Sequence, residues 1–187
     1  MKKYLLPSLK ITLVFLVICS LLYPLLIAGI GHFTPGGGRG ETIVVNGKVV
    51  GYANIGQKFD QDKYFWPRPS AVAFNAAGSG GSNKGPANQD YLKDVQAHID
   101  SFLIHNPTVK KENIPSELVT YSGSGLDPDI SPQAAYIQVD RIAKVRNLPT
   151  DKINSLIAGH TEKPFLALFG PEKINVLRLN VALDELH

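Results

Sequence analysis

From Ile11 to Gly31 the chain carries no charged residue, and the run ITLVFLVICSLLYPLLIAGIG is mostly Leu, Ile and Val. At about 1.5 Å rise per residue a helix of this length spans roughly 30 Å, the thickness of a bilayer's hydrocarbon core. The spacing predicts a transmembrane helix over residues 11–31 and leaves residues 32–187 to fold on one side of it.

Charge predicts which side. The formal net charge is +3, from 19 Lys and Arg against 16 Asp and Glu. Lys2, Lys3 and Lys10 precede the apolar run, and with those three set aside the remaining charges balance. Basic residues flanking a span stay in the cytoplasm. Residues 1–10 are therefore expected to form a cytoplasmic basic tail of a single-pass protein of the inner (plasma) membrane, with everything after Gly31 extracytoplasmic. Membrane lipid is then a partner, and nucleic acid is not, because the outer part has no surplus basic charge to offer it.

A cleaved signal peptide has the same layout of basic end and apolar run. The run here is longer than an ordinary signal core, and AGIGHF is a poor small-x-small cleavage site, which favours a retained anchor. The single cysteine, Cys19, lies inside the run, so the outer part cannot form a disulfide. Cys19 reads as an apolar side chain, and bulky Ile18 before it argues against lipidation. Pro24 is expected to kink the helix, which hints at packing against other helices.

Residues 32–41, which include TPGGGRGE, read as a glycine-rich tether. Residues 42–187 suffice for one domain with a core of its own. Within it, Val44-Val45 and Val49-Val50 flank Asn46-Gly47, the dipeptide preferred by a type I′ hairpin turn. Leu92, Val95, Ile99, Phe102 and Leu103 recur at helical spacing after Asn88 or Asp90 as cap. A second helix is expected from Ser131 as N-cap and Pro132, with Ala135, Val139, Ile142 and Ala143 on one face. A third is expected to be capped by Thr150 and ended by Gly159. At the end, Leu177, Leu179, Val181 and Leu183 alternate with Arg178, Asn180, Ala182 and Asp184, the pattern of a half-buried strand that could pair with the hairpin. The expected class is α+β.

Tests for chemistry fail one after another. No Gly-x-Ser-x-Gly elbow or Ser-x-x-Lys pair occurs, and Ser122-Gly123-Ser124-Gly125 has the wrong spacing for a nucleophile. In GSGGSNKG, Gly78 to Gly85, Lys84 precedes the glycine it should follow in a phosphate loop. His98 and His105 would lie about 10 Å apart on a helix, too far to share a metal, and are expected to be solvated or to cap. Asp127 and Asp129 begin like a calcium loop, but Pro132 stands where that loop needs glycine; a tight turn explains them. No catalytic residue, metal ligand or cofactor is assigned to this chain.

The irregular stretch YFWPRPSAVAFNAAGSGGSNKGPAN, Tyr64 to Asn88, has two readings. Phe65, Trp66 and Arg68 could be loop side chains folded onto the core, or anchors of a contact surface, since Trp and Arg dominate interfaces. Long loops without secondary structure are uncommon unless functional. Trp66, Arg68, Ser70, Ser82 and Asn83 are accordingly the candidate partner-binding residues.

Five segments together resemble the C subunit of the bacterial Kdp-type potassium-transporting P-type ATPase. They are IGQKFDQDKYFWPRPSA from Ile55, GSGGSNKGPAN from Gly78, LVTYSGSGLDPDISPQAA from Leu118, QVDRIAKVRNL from Gln138 and INVLRLNVALD from Ile174. The likeness covers nearly the whole chain; Gln89 and Asp140 stand where the family commonly has proline. The resemblance implies an accessory subunit of a complex with a channel-like potassium-binding subunit, a P-type ATPase subunit and a small stabilising subunit. ATP and potassium then belong to the complex, and the phosphorylatable Asp-Lys-Thr-Gly motif is absent here. It also implies a catalytic chaperone that raises the ATP affinity of the ATPase subunit, with Ser122, Gly123, Ser124 and Gly125 as nucleotide-associated residues. An external domain is poorly placed for nucleotide, so an indirect role is expected. The rival reading is a free-standing membrane-anchored sensor or binding module.

Overall fold

The computed structural model describes residues 2–164, 166 and 168–186. Contacts divide the chain into two units between Thr42 and Ile43. The first contains α1 (Lys2–Val17), a π-helical turn (Ile18–Leu22) and α2 (Tyr23–Gly31). From Lys3 to Gly31 this is one apolar helix of 29 residues with none of its apolar window buried, about 43 Å at the α-helical rise. So much apolar surface needs lipid or other helices to cover it. Beyond it, residues 34–40 form turns, in which Thr34 O accepts from Gly37 N and Gly36 O from Arg39 N.

Apart from Thr42, the second unit opens with the expected hairpin, β1 (Thr42–Val45) and β2 (Lys48–Tyr52). Asn46 and Gly47 take φ of 51° and 76°, the two positive values that a type I′ turn demands. After a long irregular segment comes α3 (Gln89–His105), whose cap is Asn88: its side chain accepts from the amides of Asp90 and Tyr91. Of the predicted stripe only Phe102 is fully buried, so α3 lies on the core by one edge.

The core gathers around α6 (Thr150–His160), which packs on α4 (Pro132–Tyr136), α5 (Val139–Arg146) and the C-terminal α7 (Val176–Asp184). Ile142, Ile153, Ile157, Leu179 and Leu183 are each 0% exposed, and full burial of such a side chain contributes about 1.5–3 kcal/mol. The short strands β3 (Asp129–Ile130) and β4 (Ile174–Asn175) pair antiparallel and close the layer. With its N-terminal apolar helix and this mixed domain, the chain is α+β.

Three local expectations are corrected. The alternating C-terminal segment is not a strand and does not pair with the hairpin: only Ile174 and Asn175 are extended, and they pair with β3. Asn175 then accepts from Arg178 N as an N-cap, and Val176, Leu179, Asn180 and Leu183 turn inward at helical spacing. The helix expected after Ser131 is two helices. Ser131 accepts from Ala134 N as predicted, but α4 ends at Tyr136 and α5 restarts at Val139. The third helix begins at Thr150 without a side-chain cap, its cap position being Pro149, and it runs one residue past Gly159.

Candidate functional site

The stretch Asp62 to Trp66 has no strand partner, yet its main chain is bonded along its length by side chains. Asn180 Oδ1 accepts from Phe65 N at 2.8 Å and its Nδ2 donates to Phe65 O at 3.0 Å. Gln138 Oε1 accepts from Trp66 N at 2.8 Å, and its Nε2 donates to Trp66 O at 3.3 Å and to Ala134 O at 2.9 Å. Arg141 donates from Nε to Asp62 O at 3.1 Å and from Nη2 to Tyr64 O at 2.7 Å. Two carboxamides thus stand in for a neighbouring strand, satisfying main-chain groups whose burial unpaired is costly.

These holders come from α5, α7 and the turn between α4 and α5, and they are buried: Gln138 is 0% exposed, Asn180 2% and Arg141 6%. Burial lowers the Arg141 guanidinium to about 10, against a smaller opposing effect of Asp62, so it stays charged at neutral pH. It lies 4.3 Å from the Trp66 ring, where cation–π attraction adds to its hydrogen bonds. At the outer end Arg146 donates to Lys63 O at 2.7 Å and to Asp184 Oδ1 at 2.5 Å, and the Tyr64 hydroxyl donates to Asp184 Oδ2 at 2.9 Å.

Of the expected contact cluster, Phe65 is fully buried and belongs to the core. Trp66 is half-buried, edge-on to Phe102 and to His105 with centroids 6.5 and 4.9 Å apart. Arg68 pairs with Asp127 at 3.0 Å and donates to Tyr121 O at 3.4 Å. The outer edges of Trp66, Arg68 and Ser70 line a cleft of about 370 Å³ together with Phe74, His98 and His105. Trp66 and Arg68 are thus both folded on and cleft-lining, whereas Phe65 is core alone.

From Ser70, which lines the cleft, hydrogen bonds run on to tie together two loops that are distant in sequence. Ser70 Oγ donates to Gly125 O at 2.6 Å, Gly80 N to Ser124 O at 2.8 Å, and Ser79 Oγ to Ser124 O at 3.0 Å. A Cβ at Gly81 would come within 2.9 Å of Gly123 O, so glycine permits the close approach. Within Ser122 to Gly125 the amide of Ser122 bonds Pro69 O and that of Gly125 bonds Ser122 O. Gly123 and Ser124 remain exposed. Ser82 is half-buried, and Asn83 is exposed with φ of 54°. Lys84, the one basic group of the glycine-rich stretch, pairs with Asp94 at 3.0 Å, and that hydrogen bond holds its ammonium above its ordinary value.

His98 and His105, expected to be solvated or capping, are half-buried and each has a partner: His98 Nδ1 lies 2.9 Å from Val119 O and His105 Nδ1 2.7 Å from Asp62 Oδ1. Among the described residues no cluster of three or more His, Cys, Asp or Glu could hold a metal. Asp129 N donates to Asp127 Oδ1 at 3.1 Å, the tight turn expected there. The sequence gives no sign that Gln138, Asn180 and Arg146 hold this segment, because a polar side chain aimed inward carries no periodic mark of its own.

The model of the family described as KdpC, K+-transporting ATPase c chain, matches residues 5–185. The chain belongs to this family. The potassium-transporting ATPase KdpC subunit of Flavobacterium psychrophilum is 58% identical over 95% of this chain and 96% of its own length. The subunit of the same name from Bacteroides fragilis is 50% identical over 98% of both, and that from Bacillus cereus 45% over 96% and 94%. A KdpC-family chain is an accessory subunit of a potassium-transporting ATPase and therefore has partner subunits. With its one apolar N-terminal helix, membership supports a place at the membrane.

Proposed function

We propose that this chain holds the channel-like and P-type ATPase subunits of its complex in a productive arrangement, with the cleft edged by Trp66, Arg68 and Ser70, together with the Ser82-Asn83 turn, as the docking face of its outer domain. The observation that carries this is the clamp. Buried Gln138, Asn180 and Arg141 fix an irregular segment in one conformation, and a preformed surface loses less entropy on binding.

In this reading Lys2, Lys3 and Lys10 hold the tail in the cytoplasm and the domain lies outside. An effect on ATP affinity then reaches the ATPase subunit through the arrangement of the complex. Direct contact of nucleotide with Gly123 or Ser124 is not required, and the inward-turned bonds of Ser122 and Gly125 favour a structural role for that turn. The small stabilising subunit completes the set of partners.

Affinity purification of the tagged full chain from mild detergent tests this. Larger membrane subunits and potassium-stimulated ATP hydrolysis are expected in the eluate. Recovery of the chain alone would leave a free-standing anchored sensor or binding module as the better reading.

A further inference from the structure

The helix of the first unit contains a polar break near the middle of its uncharged run. Tyr23 N bonds Ile18 O, five residues back, in place of Cys19 O, four back. The next residue, Pro24, has no N–H. The Cys19 carbonyl therefore has neither an α-helical nor a π-helical donor, and the Ser20 carbonyl loses its α-helical one. The exposed Ser20 hydroxyl lies on the same turn, and Ser20 and Pro24, four apart, share a helix face.

We propose that this turn, Ile18–Leu22, is a notch that receives an N–H-donating side chain from a membrane helix of a partner subunit. Hydrocarbon offers nothing to an open carbonyl, and helix breaks in membranes persist where a neighbouring helix satisfies them. A carbonyl with no helical donor, next to one that has lost its α-helical donor, suits a side chain with two or more N–H groups: Asn, Gln, Lys or Arg. Residues 11–31 contain none of these, so a second copy of this helix cannot supply one. Thr12 is eight residues from Ser20, about 12 Å along the axis, and cannot reach. The inference rests on the reading that the helix is retained in the membrane, with the family's partner subunits beside it.

The test uses the full chain expressed with its complex. Pro24→Leu restores the missing amide and removes the need for a donor, while Pro7→Leu, outside the uncharged run, serves as control. Pro24→Leu is expected to stay in the membrane against alkaline carbonate and to bring down several-fold less partner subunit in detergent; Pro7→Leu is expected to match wild type. In a second arm, a photo-crosslinking residue at Ser20 is expected to capture a partner subunit, and one at Leu22, on the other side of the helix, is not. Wild-type recovery with Pro24→Leu, equal capture from both positions, or capture of a second tagged copy from Ser20 would each overturn the notch. Release of the wild-type chain by carbonate would instead remove the membrane reading beneath it, and the notch with it.

Discussion

The carboxamide of Asn180 makes both main-chain hydrogen bonds of Phe65, at 2.8 and 3.0 Å, with Asn180 2% and Phe65 0% exposed. Asn180→Leu would leave a buried N–H and a buried carbonyl without partners, each costing about 1–3 kcal/mol. A loss of about 3 kcal/mol is expected in urea unfolding of the full chain in detergent, followed by the fluorescence of Trp66, the single tryptophan. Asn180→Asp, which keeps the acceptor and loses the donor, should also destabilise. Wild-type stability in Asn180→Leu would contradict the clamp.

Trp66 both packs and lines the cleft, so truncation mixes two effects. Trp66→Ala removes contacts with Phe102, His105 and Arg141 and should cost about 3 kcal/mol. Trp66→Phe keeps an aromatic ring and leaves the main-chain bonds to Gln138 intact. It is the cleaner test of docking: partner recovery should fall while the melting temperature stays close to wild type. Unchanged recovery would point away from the cleft.

Burial, and then the Asp184 carboxylate that accepts its hydrogen bond, hold the Tyr64 phenol above its ordinary value. Unfolded tyrosine ionises near pH 10, while the folded phenol keeps its proton to higher pH. The unfolded state thus binds fewer protons above about pH 10, and stability from this group falls as pH rises through the folded value. Tyr64→Phe should be less stable at neutral pH and show a shallower loss as pH rises above about 10. Identical alkaline slopes in wild type and variant would remove Tyr64 from this role.

Two glycines of the outer domain should differ in tolerance. At Gly56 a Cβ would strike the Asp127 carbonyl and lie 2.9 Å from the Leu126 carbonyl carbon, both main chain. At Gly51 the neighbours are the ends of the Gln57 and Leu177 side chains, which can move. Gly56→Ala is expected to cost about 2–3 kcal/mol, and Gly51→Ala clearly less. Equal thermal shifts would contradict this ordering.

Topology is open to direct labelling. With Cys19 replaced by serine, Gly38→Cys should react with a membrane-impermeant maleimide in intact cells whose outer membrane is permeable to it. Labelling only after the inner membrane is broken would place the domain inside and reverse the reading of Lys2, Lys3 and Lys10.

Local signals were legible wherever they are covalent or short-range. Asn46-Gly47 specifies its turn because both residues tolerate positive φ, Asn88 and Ser131 cap because their side chains reach the next amides, and the uncharged run predicts an apolar helix by length alone. The last segment was misread because Leu177, Leu179, Val181 and Leu183 alternate as in a strand. Asn180 decides the difference: as a polar residue it belongs to the solvent face of a strand, whereas it is buried on α7 against Phe65.

The sequence by itself determined the long apolar helix, the hairpin, two of the helix caps and, through five ordered segments, the family. Only the tertiary structure decided that α7 is a helix, that the Ser70 to Gly81 and Ser122 to Gly125 loops are bonded to each other, and that Gln138, Asn180 and Arg141 hold the Tyr64 segment. The physical reason is reach. Caps and turns are settled among neighbours a few residues apart, whereas Asn180 and Phe65 are separated by 115 positions, and a carboxamide shows its buried partner only once the chain has brought the two together.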